Sequence, residues 1–188
     1  QQPAARRDAS RLLVLRREPS AARVSPDPSP LTSHPLTHRV FSDLPSFVEP
    51  GDILVVNDSR VIPARLLGSR EGGGKAEVLL VAREETGTWR ALVRPGSRIR
   101  AGSVVRVGGE DRIEIVSHLP EGVRRVRLVG PGGEEAVLAR RGRIPLPPYI
   151  AREPTARDTE RYQTVYAAAP GSVAAPTAGL HFTPELLA

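Results

Sequence analysis

The sequence predicts a mixed α+β protein in which a small antiparallel β-barrel interrupts a second region of mingled strands and helices. Three observations carry this. Between Ala64 and about Arg141 the chain breaks into short strand-type runs separated by Gly and Pro turns at the spacing of a small barrel. Before them, the continuous apolar run Ile53-Leu-Val-Val56 leads straight into the polar Asn57-Asp-Ser-Arg60. After them come a proline-rich stretch and a run of small residues ending in Leu180-His-Phe182.

In chain order, Arg11 to Arg17 reads as a short buried strand with basic flanks, and Ser25 to Pro30 as a surface loop, since its prolines exclude regular structure. A second strand is expected near His38 to Phe41, then a helical turn from Asp43 to Phe47 capped by Ser42 and closed by the Pro50-Gly51 turn. Ile53 to Val56 has the continuous apolar character of a strand covered on both faces. Its carboxyl end would then present Asn57 and Asp58, either as ligand-binding groups or as a simple Asx turn.

The barrel strands are expected at Arg65 to Ser69, Ala76 to Ala82, Thr88 to Arg94, Val104 to Val107, Arg112 to Ser117 and Val123 to Val129. A helix from Glu134 to Arg141 follows, acids first and bases last, and Gly142 ends it. Pro145, Pro147 and Pro148 stiffen the backbone that delivers Tyr149. Asp158 or Thr159 can start a helix carrying Arg161, Tyr162, Gln163 and Tyr166, with the two tyrosines on one face; they serve either helix packing or a planar ligand. Ala174, Ala175, Ala178 and Gly179 leave room for a flat ligand against the main chain, and in an extended backbone His181 would face away from Leu180 and Phe182, toward the pocket. Thr183 and Pro184 announce a helix at its N-cap and first turn; with no Met at position 1 and so little helix after it, the chain reads as part of a longer one.

Composition narrows the chemistry. The 188 residues carry a formal charge of +6, and Lys75 is the only lysine, so arginine supplies nearly all the cations. The excess is local: from Arg94 to Arg143 there are eleven arginines against six acids. Arg94, Arg98, Arg124 and Arg127 are the candidates for a basic stripe along a phosphate backbone, the alternative being an ordinary solvated surface rich in arginine. With Trp89 the sole tryptophan and better suited to a core, such a surface would read RNA shape and not sequence. The absence of cysteine excludes disulfides, thiolate nucleophiles and cysteine-bound metals. His34, His38, His118 and His181 make no metal pattern, because Pro35 breaks the His34/His38 spacing. No apolar run reaches the ~20 residues of a membrane span and the opening residues lack a signal-peptide core, so a cytoplasmic protein without membrane contact is expected; a monomer is expected as well.

Several long motifs point further. Gly142-Arg-Ile-Pro-Leu-Pro-Pro-Tyr-Ile150, Glu160-Arg-Tyr-Gln-Thr-Val-Tyr166 and Pro170-Gly-Ser-Val-Ala-Ala-Pro-Thr-Ala-Gly-Leu-His-Phe182 resemble, in order, segments of the S-adenosylmethionine:tRNA ribosyltransferase-isomerase family of queuosine biosynthesis. The likeness extends upstream through Asp43-Leu44, Pro50 to Arg65 and Gly73 to Glu77, although members of that family run much longer. The resemblance implies a partial α/β-barrel-like main domain, residues 1–63 and 142–188, with residues 64–141 as the inserted β-barrel. It also implies transfer and isomerisation of the ribosyl part of S-adenosylmethionine onto a 7-aminomethyl-7-deazaguanine at the tRNA wobble position, with adenine and methionine released. S-adenosylmethionine is then a substrate, and neither cofactor nor metal is required.

On that reading His181 is the candidate base, by its near-neutral pKa, and Asp58 its catalytic companion, in a role left open. Asn57, Arg60, Arg65, Tyr149, Arg161, Tyr162, Gln163, Tyr166, Thr177, Gly179 and Phe182 are candidates for substrate binding. Arg60 and Arg65 suit a carboxylate or phosphate, the aromatic residues suit stacking, and Gln163 suits a purine edge. A non-catalytic RNA-binding module built on the basic barrel is the competing interpretation.

Overall fold

Alternation of apolar and polar residues builds the centre of the protein. In the computed structural model, which describes residues 4–15, 36–84, 87–147 and 149–188, strands β1 (Arg11–Leu15), β2 (Leu36–Val40) and β3 (Ser59–Val61) precede six strands in the region that the turn spacing assigned to a barrel. These are β4 (Arg65–Arg70), β5 (Lys75–Arg83), β6 (Trp89–Arg94), β7 (Val104–Gly108), β8 (Asp111–His118) and β9 (Arg124–Val129). All pair antiparallel, in the order β4-β5-β6-β9-β8-β7, and β4 pairs with β7 to close the barrel. The fold is thus mixed α+β with a closed six-stranded antiparallel barrel and few helices, as the sequence predicts.

The chain divides into two compact units, residues 57–180 and residues 2–56 with 181–188. In the first, inward positions of the barrel strands form one core containing Leu66, Val78, Leu80, Trp89, Ile113 and Val126. β6 shows the rule: Trp89, Ala91 and Val93 are buried, and Arg90, Leu92 and Arg94 are exposed. Closure depends on Gly68, because a Cβ there would strike the carbonyl of Arg106 on β7. Helix α1 (Gly133–Arg141) packs Val137 into this core, and its last turn grips the buried Asp111. Arg140 donates to both Asp111 oxygens, Nη2 at 2.7 Å and Nε at 3.3 Å, and Arg141 Nε donates at 2.8 Å. These guanidiniums, Arg140 first, hold the Asp111 carboxyl down to about 2 from an ordinary 3.8.

After α1, β10 (Gly142–Arg143) returns antiparallel to β4, Gly142 opposite Leu66. Helix α2 (Ala156–Arg161) and strand β11 (Ala169–Ser172) complete this unit, β11 lying parallel to β3. A smaller core of Val61, Ile144, Tyr162 and Ala175 sits here.

In the second unit β1 and β2 form an antiparallel ribbon, a 3₁₀ turn spans Phe41–Phe47, and α3 (Pro184–Leu187) starts at Thr183, whose hydroxyl accepts the Leu186 N–H at 3.2 Å. β1 is less buried than predicted: Leu13 and Leu15 are exposed, on the ribbon face they share with Leu36 and Val40. Ile53 to Val56 corrects the sequence reading outright. It forms no strand and is exposed, Ile53 to 88%, because no sheet neighbour among the described residues offers it hydrogen bonds. The expected Ser25 to Pro30 loop and His34 lie outside the described residues. Among those described, no helix is long and apolar enough to cross a membrane, and no group of three His, Cys, Asp or Glu could hold a metal ion.

Candidate active site

The first unit places a polar cluster at the start of β3. Asn57 Oδ1 accepts the Ser59 N–H at 2.9 Å, an Asx turn, while the Asp58 carbonyl accepts the Ala168 N–H at 2.7 Å. The two bonds fix the backbone at both sides of the turn, and Asp58 stands there exposed to solvent. Gln163 then clamps the next turn of the strand. Its Oε1 accepts the Val61 N–H at 2.9 Å and its Nε2 donates to the Val61 carbonyl at 2.7 Å, as a neighbouring strand would. Both polar atoms of the amide are therefore engaged by the backbone, and Gln163 positions β3 where the sequence suggested a purine reader.

Beside this clamp lies a cleft of about 760 Å³, lined among others by Arg60, Arg143, Ile144, Thr155, Glu160 and Gln163. That volume falls in the range of small-molecule sites. Arg60 is exposed at the cleft and makes no ion pair among the described residues. Thr155, on one wall, is held by the buried Asp158, which accepts from the Thr155 N–H and hydroxyl, each at 2.7 Å, and from Arg152 Nη1 and Nη2 at 2.7 Å. Arg152 foremost, these donors hold the Asp158 carboxyl well below the usual carboxylate range. Thr155 is thus the N-cap and α2 starts earlier than predicted.

The helix also ends earlier, at Arg161, so the shared face expected for Tyr162 and Tyr166 does not exist. Tyr162 is the C-cap and is buried against Val61, Ile144 and Ala175, and burial pushes its hydroxyl pKa up, with a smaller contribution from Tyr149. Tyr166 lies beyond the helix, its hydroxyl seated against Gly179: a Cβ on that glycine would collide with the oxygen and with Thr164. The close approach that Gly179 permits is to Tyr166 in place of a ligand. Tyr149 is 69% exposed.

A second cleft, of about 590 Å³, is lined by Arg65, Arg94, Arg152 and Ile150 among others. Here Arg65 is already paired, with Glu77 at 3.2 Å and Glu153 at 3.6 Å.

In the other unit, His181 is the last residue of the 3₁₀ turn Thr177–His181, so the extended alternation expected of Leu180, His181 and Phe182 is absent. Both rings pack on Phe41, His181 at 5.2 Å between centroids and Phe182 edge-on at 5.1 Å. The His181 Nδ1–H donates to the Arg7 carbonyl at 3.4 Å. Since a carbonyl only accepts, Nδ1 meets it as a donor, and in the neutral imidazole that tautomer has its lone pair on Nε2, the arrangement a general base requires. Neither Arg7 nor Phe41 could be paired with His181 by sequence spacing, because both lie more than a hundred residues away.

The arginine candidates separate by strand parity. Arg124 points inward, its guanidinium donating to the carbonyls of Gly96, Ile99, Gly122 and Val123, which corrects its reading as an RNA contact. Arg127, three residues on, is exposed, as are Arg94 and Arg98. Arg161 closes α2, and Thr177 opens the turn that carries His181.

Residues 1–188 match the family described as "Queuosine biosynthesis protein". Curated relatives named S-adenosylmethionine:tRNA ribosyltransferase-isomerase include proteins of Anaeromyxobacter dehalogenans strain 2CP-C, 51% identical over 193 residues, and of Moorella thermoacetica, 50% identical over 190. Each alignment takes in 100% of this chain and 51% of the relative. A crystal structure of S-adenosylmethionine tRNA ribosyltransferase from Thermotoga maritima is 29% identical, with a TM-score of 0.39 over 100% of this chain and 48% of that one. The chain spans about half the length of the curated relatives it matches. On a match that runs from the first residue to the last, the chain belongs to the queuosine biosynthesis protein family.

Proposed function

We propose that the chain supplies part of the active site of an S-adenosylmethionine:tRNA ribosyltransferase-isomerase working as a cytoplasmic monomer. Its substrates are S-adenosylmethionine and a tRNA with 7-aminomethyl-7-deazaguanine at the wobble position. Residues 1–63 and 142–188 belong to the catalytic domain, and residues 64–141 form the barrel inserted into it. His181 takes the acidic proton from the carbon beside the sulfonium through Nε2, adenine departs, and the aminomethyl nitrogen receives the ribosyl carbon skeleton as methionine leaves. Arg60 holds a carboxylate or phosphate at the mouth of the 760 Å³ cleft, and Asp58 interacts with the cationic sulfonium or the ribose hydroxyls.

The observation that supports this reading is the contact of His181 Nδ1 with the Arg7 carbonyl, which occupies Nδ1 and leaves Nε2 as the ring nitrogen without that contact. In the intact protein, His181→Ala is expected to abolish methionine release while tRNA retention in filter binding persists; unchanged turnover removes His181 from the chemistry. A protein that only binds RNA would retain tRNA and release no methionine even with His181 in place.

A further inference from the structure

We infer that the outer face of the barrel carries an oblique arginine path, Arg90-Arg125-Arg127-Arg112-Arg106, that docks the phosphate backbone of double-stranded RNA; the choice of RNA as occupant rests on the function proposed above. The path crosses β6, β9, β8 and β7, which are successive neighbours in the barrel. Arg90 stands directly opposite Arg125, and Arg106 directly opposite Arg112. Like charges in directly opposed positions destabilise a sheet, so two such pairs on adjoining strands need a reason outside the barrel.

The acids present form ion pairs with only one member of each pair, although Glu84 also feels the charge of Arg90 at longer range. Arg125 Nε meets Glu84 at 2.6 Å, and Arg112 donates to Glu114 Oε1 from Nε at 3.2 Å and Nη2 at 3.1 Å. Arg127 reaches the same Glu114 at 4.0 Å. Arg90 and Arg106, the two ends of the path, make no ion pair among the described residues, and both are exposed. Five guanidiniums against two carboxylates leave a net positive band, and three strand intervals of ~4.8 Å make it about 14 Å wide, enough for several successive phosphates.

Among the described residues, no aromatic side chain stands between the arginines of the path, and the exposed ring of His118 lies at the end of β8 with its Nε2 taken by the Ala101 N–H. Other outward residues of the face include Leu92, Val116 and Val129, and the indole of Trp89 is turned inward with Nε1 donating to Glu134 at 3.1 Å. Phosphate contact without stacking suits a duplex, whose regular backbone is recognised by shape.

The test is fluorescence anisotropy of the 188-residue protein with an RNA duplex of about 16 base pairs, titrated over a range of salt. Arg90→Ala/Arg106→Ala is expected to weaken binding roughly tenfold or more at low salt and to flatten the slope of log affinity against log salt by about 0.7–0.9 for each phosphate that is no longer neutralised. Arg11→Ala/Arg39→Ala, on the exposed β1–β2 ribbon and off the path, should leave that slope unchanged. Arg90→Lys/Arg106→Lys should keep the parent slope, which excludes a folding defect. An unchanged slope in the path variant overturns the inference, as does equal weakening by the Arg11/Arg39 variant, or binding to anionic lipid vesicles with none to duplex. Because the readout is duplex binding, the path stands or falls separately from His181: turnover persisting in His181→Ala would remove the proposed chemistry and leave this surface intact.

Discussion

The two units bury their apolar residues very differently. In residues 57–180 the barrel strands turn Leu66, Val78, Leu80, Ile113 and Val126 into one shared interior, nearly all of them without solvent exposure. In the unit of residues 2–56 and 181–188 the buried apolar residues among those described are Phe41 and Phe182, while Leu13, Leu15, Leu36 and Ile53 to Val56 stand exposed. A closed barrel gives every inward side chain a partner on a strand nearby in sequence. A two-stranded ribbon has one inner face and nothing to enclose. Apolar content is therefore a poor measure of burial until the topology that receives it is known.

The sharpest way to break this contrast is in the barrel. Leu80→Ala removes a fully buried side chain from a core closed on all sides, and urea denaturation should show a loss of about 2–5 kcal/mol; a loss below about 1 kcal/mol would mean that the barrel core can collapse around the gap. Asp111 comes next. Its carboxyl is depressed in the folded protein, so its contribution is complete above the ordinary 3.8 and is lost as pH falls from there toward about 2. Asp111→Asn should lower the urea midpoint at pH 7, and the gap from the parent protein should close as the pH approaches about 2. A gap that is independent of pH would show that the α1 clamp does not depend on charge. The smallest effect belongs to the exposed run: Ile53→Ser should alter stability by no more than about 0.5 kcal/mol in the same assay, and a larger loss would place Ile53 in a core.

The same contrast explains what could be read in advance. Each barrel strand announced itself by alternation and a Gly or Pro turn, so all six were found to within a residue or two. Ile53 to Val56 has no alternation, and a continuous apolar run names a covered strand only if covers exist. Parity alone separates Arg125 and Arg127 from Arg124, yet which parity faces out depends on the barrel core, which sequence does not display. A start at Asp158 or Thr159 misplaces the helix before Tyr162, because Asp158 is the N3 residue of a capping box begun by Thr155. The tautomer of His181 rests on a backbone carbonyl 174 residues away, and no local pattern encodes such a contact.

One consequence follows from the return of β10 to β4. With Gly142 opposite Leu66 and Arg143 opposite Arg65, the chain leaves the barrel beside the point where it entered, at a separation of about 5 Å. A gap so short can be bridged by a tight turn. A tight turn in place of the barrel would therefore join the chain before Arg65 to the chain after Arg143 with no further spacer.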